Sequence, residues 1–394
     1  MFSLSSKIPS TCGKLFVSRF SNSFISIARK NMGSKAESLS GNDCGNNSTP
    51  TIGTHSGTFH CDEALACFML KQLPEYENAE ILRSRINEEL RKKCSIIVDV
   101  GNVFDHERKL YDHHQPSFQE TLSSLRPELG DKYKIRLSSA GLIFNYYGER
   151  VIDCILKKHG IDLSDENLRL TFIQVYQKFI KEIDAIDNGL PMFLCPEGQE
   201  PLYTIGTDVS ARVGRINLSW DDETGDCQDD RFREAMCFVG NEFVEEVLYT
   251  GGSWIKAREC VRTALQNAAK VYETGEILLL ERALPWKEHL FDLEEECKVE
   301  GRSKLVIFED PLDNSWRVAG VPVTPQSFLG RQFLPIEWRG LRNDDLFQAA
   351  GVKDLLFVHN NGFIGGAKNK EAALAMAIKS VQWPRKNETK EKQC

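Results

Sequence analysis

Three β-branched residues in a row, Ile96-Ile97-Val98, end in Asp99, with Gly101 close behind. A short continuous apolar run of this kind reads as a strand buried on both faces, as in a parallel sheet flanked by helices. Parallel sheets present their working groups at the carboxyl ends of the strands. Asp99 is therefore expected at a site, and the chain is expected to be α/β.

The same theme surrounds that strand. Thr51-Ile-Gly-Thr leads into His55, His60 and Asp62, after which Leu65, Phe68, Met69 and Leu73 recur at helical spacing. These polar groups belong on a loop that opens a helix. KLYDHHQP places Asp112, His113 and His114 after another strand-like stretch that Pro116 stops. Five of the eight histidines lie between positions 55 and 114. From Leu168 to Ile186, Ile173, Tyr176, Ile180 and Ile183 share one helical face, with Asp184 and Asp187 at the end before an Asn188-Gly189 turn. His106 and His159 stand in charged stretches without a spaced partner and read as surface residues.

Imidazole and carboxylate together suit manganese, iron, cobalt or zinc better than magnesium or calcium. Manganese is the favoured ion. Two ions about 4 Å apart can share a bridging carboxylate, generate hydroxide at neutral pH and steady both oxygens of a phosphate displacement. Asp99 is the expected bridge.

At 394 residues the chain calls for two domains. Its net charge is −8, yet residues 1–36 carry six Lys/Arg and no Asp/Glu, so the remainder sits near −14. Such an acidic body is unsuited to wrapping duplex nucleic acid, which requires a basic stripe. Twelve cysteines without a C-x-x-C pair suggest neither a zinc ribbon nor a redox dithiol, and fit buried thiols in a reducing compartment. No apolar run approaches the roughly 20 residues of a membrane helix.

Residues 1–36, rich in Ser with dispersed Lys7, Lys14, Arg19, Arg29 and Lys30, have the composition of a transit peptide. A mitochondrial address comes first and a plastid one second; an unprocessed disordered tail is the plain alternative. Met32 offers a second start that would leave a nuclear or cytoplasmic product. Residues 37–50 read as a linker.

Arg212 and Arg215, on the polar stretch 204–220, are candidates for gripping phosphate oxygens. Asp230 to Lys270 reads as a helix, a Gly251-Gly252 break and a second helix, closing a first domain of residues 51–271. A smaller mixed α/β domain is expected over 272–385, followed by a tail over 386–394. In it, KLVIFED and SWRVAGVPV join through Pro311 to Asn314 as a hairpin. Its last unit reads as strand LLFVH, a glycine loop with Gly365 and Gly366, then a helix, where backbone N–H groups meet an anion. Lys368 and His359 would assist, with a simple turn as the alternative. Ala367 and Asn369 break the Walker pattern, so no nucleoside triphosphate is expected.

With these residues in place, the chain resembles the DHH phosphoesterase superfamily, whose triplet is matched by Asp112-His113-His114. More closely it resembles the Myg exonuclease family (melanocyte proliferating gene family), through GTHSGTFHCDEALA, the triplet with Gln115, IDAIDNG, SARVGRIN, PWKEHL, WRGLR and GFIGG, from about residue 50 to 380. The resemblance implies a parallel-sheet DHH-type N-terminal domain, a helical connector and a smaller mixed α/β C-terminal domain. It assigns metal ligation to His55, His60, Asp62, Asp99, His113 and His114, and to Asp184 or Asp187. Asp99, His113 and His114 would be catalytic. His60 replaces an aspartate usual in the first motif, and Ala367-Lys368 stand where Gly-Gly-His is common. The implied activity is 3′-5′ exonucleolytic cleavage of single-stranded RNA in mitochondria and nucleus. Small phosphoesters such as dinucleotides, and a non-catalytic RNA-binding role, remain open. Spacing leaves the oligomeric state undetermined.

Overall fold

The computed structural model describes residues 49–194, 201–222, 225 and 227–383. The expected leader 1–36 with Met32, the linker up to residue 48 and the tail 386–394 lie outside the described residues.

The chain begins with β1 (Thr51–Thr54), α1 (Cys61–Leu70), β2 (Glu80–Arg83), α2 (Asn87–Lys93), β3 (Ile96–Val98), β4 (Phe104–Asp105) and β5 (Leu110–Tyr111). These strands form one sheet in the order β2-β1-β3-β5-β4, parallel except for the β4 edge. The β3 triplet is fully buried, as a strand covered on both faces requires. Helix α1 buries every residue except Phe68, and that ring lies where a Cβ on Gly240 would be.

Then come α3 (Ser139–Lys158), α4 (Asp165–Val175), α5 (Lys181–Asp187), α6 (Val209–Gly214), α7 (Gln228–Tyr249) and α8 (Ile255–Val271). Helices α4 and α5 are one rod joined through a wide π turn, Tyr176–Ile180. The expected Gly251-Gly252 break is corrected by the structure: α7 and α8 run on through a second π turn, Thr250–Trp254. A Cβ on Gly251 would meet Leu156 Cδ1 at 2.7 Å, so that glycine permits close helix packing and does not end a helix. One apolar core extends from Ile52 to Val247 between the first sheet and these helices.

The remaining elements are β6 (Ile277–Leu280), α9 (Lys287–Glu296), β7 (Leu305–Glu309), β8 (Trp316–Gly320), α10 (Asn343–Ala350), β9 (Leu355–Val358), β10 (Ile364–Ala367) and α11 (Lys370–Gln382). They build a second sheet, β6-β7-β8-β10-β9, with only β6 and β7 parallel. The expected hairpin is β7–β8, turned at Asn314 with φ 55°. The glycine-loop expectation is corrected. Gly365 and Gly366 are strand residues of β10, paired with Val358 and Phe357, while the turn falls earlier at Gly362. Their missing side chains make room for Met376 Sδ, 2.8 Å from a Cβ on Gly365, and for the Phe357 ring, 2.5 Å from one on Gly366. The protein is thus mixed α/β with two sheets. Among the described residues no helix is long and apolar enough to cross a membrane. Cys61 and Cys67 are buried as expected, but Cys227, Cys237, Cys260 and Cys297 are exposed.

Candidate metal centre

The loop from β1 to α1 is held from several sides. Arg83 Nη2 donates to Gly57 O at 2.7 Å and Arg85 Nε to Ser56 O at 2.9 Å. Asn217 closes both backbone groups of Phe59, accepting from its N–H at 3.0 Å and donating to its carbonyl at 2.9 Å. This clamp turns His55 inward and sets the exposed His60 at the N-cap of α1, with Asp62 and Glu63 in the first turn, where the helix dipole favours carboxylates.

Asp99 leaves β3 at φ 58°, a left-handed conformation uncommon for a residue with a side chain. Its N–H donates to Tyr111 O at 2.9 Å, so the strain is held by the sheet. Its carboxylate then stands between two imidazoles: Oδ2 is 3.4 Å from His55 Nε2 and Oδ1 is 3.3 Å from His113 Nε2. His113 Nε2 is also 3.2 Å from Asp187 Oδ2 and 3.9 Å from Asp62 Oδ2. His114 is oriented by Asp112 Oδ1, 2.8 Å from its Nδ1, and remains half exposed.

Two adjacent serines at the start of α3 hold the remaining carboxylates. Ser139 donates from N (3.2 Å) and Oγ (2.7 Å) to Asp62 Oδ2. Ser138 donates from N (2.9 Å) and Oγ (2.8 Å) to Asp184 Oδ1.

Three donor sets emerge: His55, His60, Glu63 and Asp99; Asp99, His113 and His114; and His60, Asp62 and Asp187. Of the eight residues named as metal ligands from sequence, all but Asp184 are in them. The structure adds Glu63, which the sequence reading passed over; its Oε1 is 2.9 Å from His55 Nε2, and both its oxygens accept from His60 N–H. The signal was its place three residues after His60, where a capping-box glutamate belongs.

The charge balance fits a cation. Burial pushes Asp187 well above the usual carboxylate range, reinforced by Asp62 and Asp99. Burial likewise raises Glu63, against the pull of His55. On Asp99 burial acts upward too, but His113 and His55 outweigh it and hold this carboxyl low. For His55, burial opposes the imidazolium, while Asp99 and Glu63 hold it up at about 10. Buried polar atoms without a hydrogen bond, Asp62 Oδ1, Asp99 Oδ1 and both ring nitrogens of His113, belong to the same cluster. Buried polar groups are ordinarily satisfied, and divalent ions would satisfy the two carboxylate oxygens and His113 Nε2, which faces them.

The expected substrate residues are not gathered here by any hydrogen bond or ion pair among the described residues. Arg212 pairs with Glu242 at 3.1 Å and covers the Phe238 ring; Arg215 donates to Gly206 O. His359 Nδ1 accepts from Asn361 N–H at 3.1 Å, and Lys368 Nζ lies 3.7 Å from Asp354. His159 is an exposed helix cap, as expected, whereas His106, also exposed, stacks on Tyr146 at 3.7 Å.

Comparison with known proteins places this arrangement. Residues 51–381 match the family model MYG1_exonuc, described as an uncharacterised protein family (UPF0160). The Caenorhabditis elegans MYG1 protein is 42% identical over 345 residues, covering 87% of this chain and 98% of that protein. Human MYG1 exonuclease is 44% identical over 329 residues, covering 83% of this chain and 85% of that protein. A solved structure of exonuclease RecJ bound to manganese matches with 12% identity and a TM-score of 0.22, covering 85% of this chain and 91% of that one, a level that carries no argument. On the extent of the family match and the identity to these relatives, the chain belongs to the MYG1 exonuclease family.

Proposed function

We propose that the protein is a metal-dependent nuclease that shortens single-stranded RNA from its 3′ end, using two divalent ions with manganese favoured. The observation that carries this reading is Asp99, whose two oxygens face different imidazoles and so serve two adjoining donor sets. The relatives' description as exonucleases supports phosphodiester hydrolysis in particular.

His55, His60, Glu63, Asp62, Asp187 and His113 would hold the ions together with Asp99. When bound, these ions supply Lewis acidity toward a phosphate and make water more acidic. The chain's own residues do the rest. Ser139 keeps Asp62 aimed inward. His114, oriented by Asp112 and half exposed, would complete the donor set of Asp99 and His113 on the side that a phosphate approaches. His55, Asp62, Asp99 and His113 are each at most 5% exposed, so the phosphate must reach recessed groups. A flexible single strand can do that more readily than a rigid duplex. The basic, acid-free residues 1–36 support mitochondrial import, which deletion of that segment should abolish.

The test incubates the full chain with manganese and 5′- or 3′-labelled single-stranded RNA and DNA, beside a chelator control and Asp99→Asn. Metal-dependent stepwise shortening of RNA from the 3′ end is expected, with Asp99→Asn at least about 100-fold slower, since it loses a charge shared by both ion sites. Cleavage from the 5′ end, or an unimpaired Asp99→Asn enzyme, refutes it.

A further inference from the structure

We infer that Arg85 is the residue that grips the substrate's phosphate beside the metal centre, in place of Arg212 and Arg215. The inference rests on the phosphoester-cleaving reading above and adds the group that binds the anion.

Arg85 follows β2 and is exposed, yet its guanidinium is fixed at the edge of the cluster. Nε donates to Ser56 O at 2.9 Å, and Nη2 lies 3.3 Å from His55 Nδ1. Among the described residues Nη1 has no hydrogen bond, and no carboxylate pairs with this side chain. Its neighbour Arg83 is different: it is tied to Asp229 at 2.9 Å and to Gly57 O.

The position is unusual for a cation. A metal-ligating imidazole ordinarily turns its second nitrogen, as a donor, toward a carbonyl or carboxylate. Ser56 O, 3.3 Å from His55 Nδ1, is that acceptor here. His55 Nε2 faces Glu63 and Asp99, so it holds either a proton or a cation. When Nε2 is given to a cation, the ring's one hydrogen is on Nδ1 and points to Ser56 O. Arg85 Nη2 then faces an N–H group and has no acceptor. A guanidinium with donors free, next to added positive charge, is stabilised by an anion placed between the two. A planar fork of N–H groups is the geometry that matches two phosphate oxygens. The surrounding acidic body supplies little other attraction for a polyanion.

The experiment uses the full chain, wild type, Arg85→Gln and Arg85→Lys. Calorimetry measures manganese binding to each, then inorganic phosphate binding to each manganese-loaded protein. Arg85→Gln should bind phosphate about tenfold more weakly, the loss expected for one charge-assisted bond, and lose much less than that in manganese affinity, because Arg83 and Asn217 still hold the His55 loop. Arg85→Lys should recover part of that, since it restores charge but not the fork. Equal phosphate affinity in wild type and Arg85→Gln, no phosphate binding by the loaded wild type, or a parallel fall in manganese affinity would each overturn the assignment. RNA cleavage is not needed for this result. Arg85-dependent phosphate binding without cleavage would leave the inference standing while the nuclease reading fell.

Discussion

Glu63 Oε1 lies 2.9 Å from His55 Nε2 with the carboxylate wholly buried, and the same side chain accepts from His60 N–H. One residue thus couples two candidate ligands and closes the cap of α1. Glu63→Gln keeps the shape but removes the charge, and should weaken manganese binding about 10- to 100-fold. Calorimetric titration decides it; unchanged affinity would reduce Glu63 to a helix cap.

Asp184 and Asp187 are separated by the same comparison. Asp187 joins His60 and Asp62, whereas Asp184 is occupied by Ser138 and raised to about 7 by burial. Asp187→Asn should lose about tenfold or more in manganese affinity and most of the metal-induced rise in Tm. Asp184→Asn should bind manganese normally, because Asp184 belongs to none of the donor sets and its Oδ1 is taken by Ser138. Thermal melts with and without manganese distinguish them.

Gly141 in α3 packs directly on that buried carboxyl: a Cβ there would sit 2.4 Å from Asp184 Oδ1. Gly141→Ala should therefore destabilise the protein by about 1–3 kcal/mol despite alanine's better helix propensity. Urea unfolding reads this, and a more stable variant would contradict the packing argument.

His289, from the PWKEHL segment, is buried on Trp254 with ring centroids 3.9 Å apart, and its Nε2 is 2.8 Å from Trp254 O. Burial holds its pKa down at about 4. The folded state thus resists protonation: no stability is lost above the unfolded value near 6.5, and the loss grows as pH falls toward 4. Between pH 7 and 5 this histidine should remove about 2 kcal/mol. The buried carboxyls with raised pKa act in the opposite sense, so the measurement is a difference. His289→Gln, which keeps a donor for Trp254 O, should lose less stability than wild type over that interval in urea titrations at both pH values.

Much of the site was legible because its residues stand at the ends of short apolar runs. Asp99 follows a triplet that reads as an interior strand, and His113-His114 follow β5 in the same way. What escaped had the appearance of ordinary structure. Glu63 looks like any acid in a first helical turn, and Asp184 and Asp187 lie only about 60° apart on a helical wheel. Arg212 and Arg215 read as free phosphate ligands from their polar surroundings in sequence, but Glu242 and Gly206 O engage them in the fold. The glycine pairs at 251–252 and 365–366 read as punctuation, but most of them make room for side chains distant in sequence.

The sequence by itself determined some of the elements, β3 and α1 among them, and that imidazoles and carboxylates accumulate at the ends of the first sheet's strands. Local periodicity and turn chemistry are encoded over a few residues and can be read there. Tertiary structure decided which acid reaches the cluster, which arginine faces it, and that Asp99 stands between His55 and His113. Those outcomes depend on contacts between residues tens of positions apart, such as Ser138 with Asp184 and Asn217 with Phe59, and no local pattern specifies them.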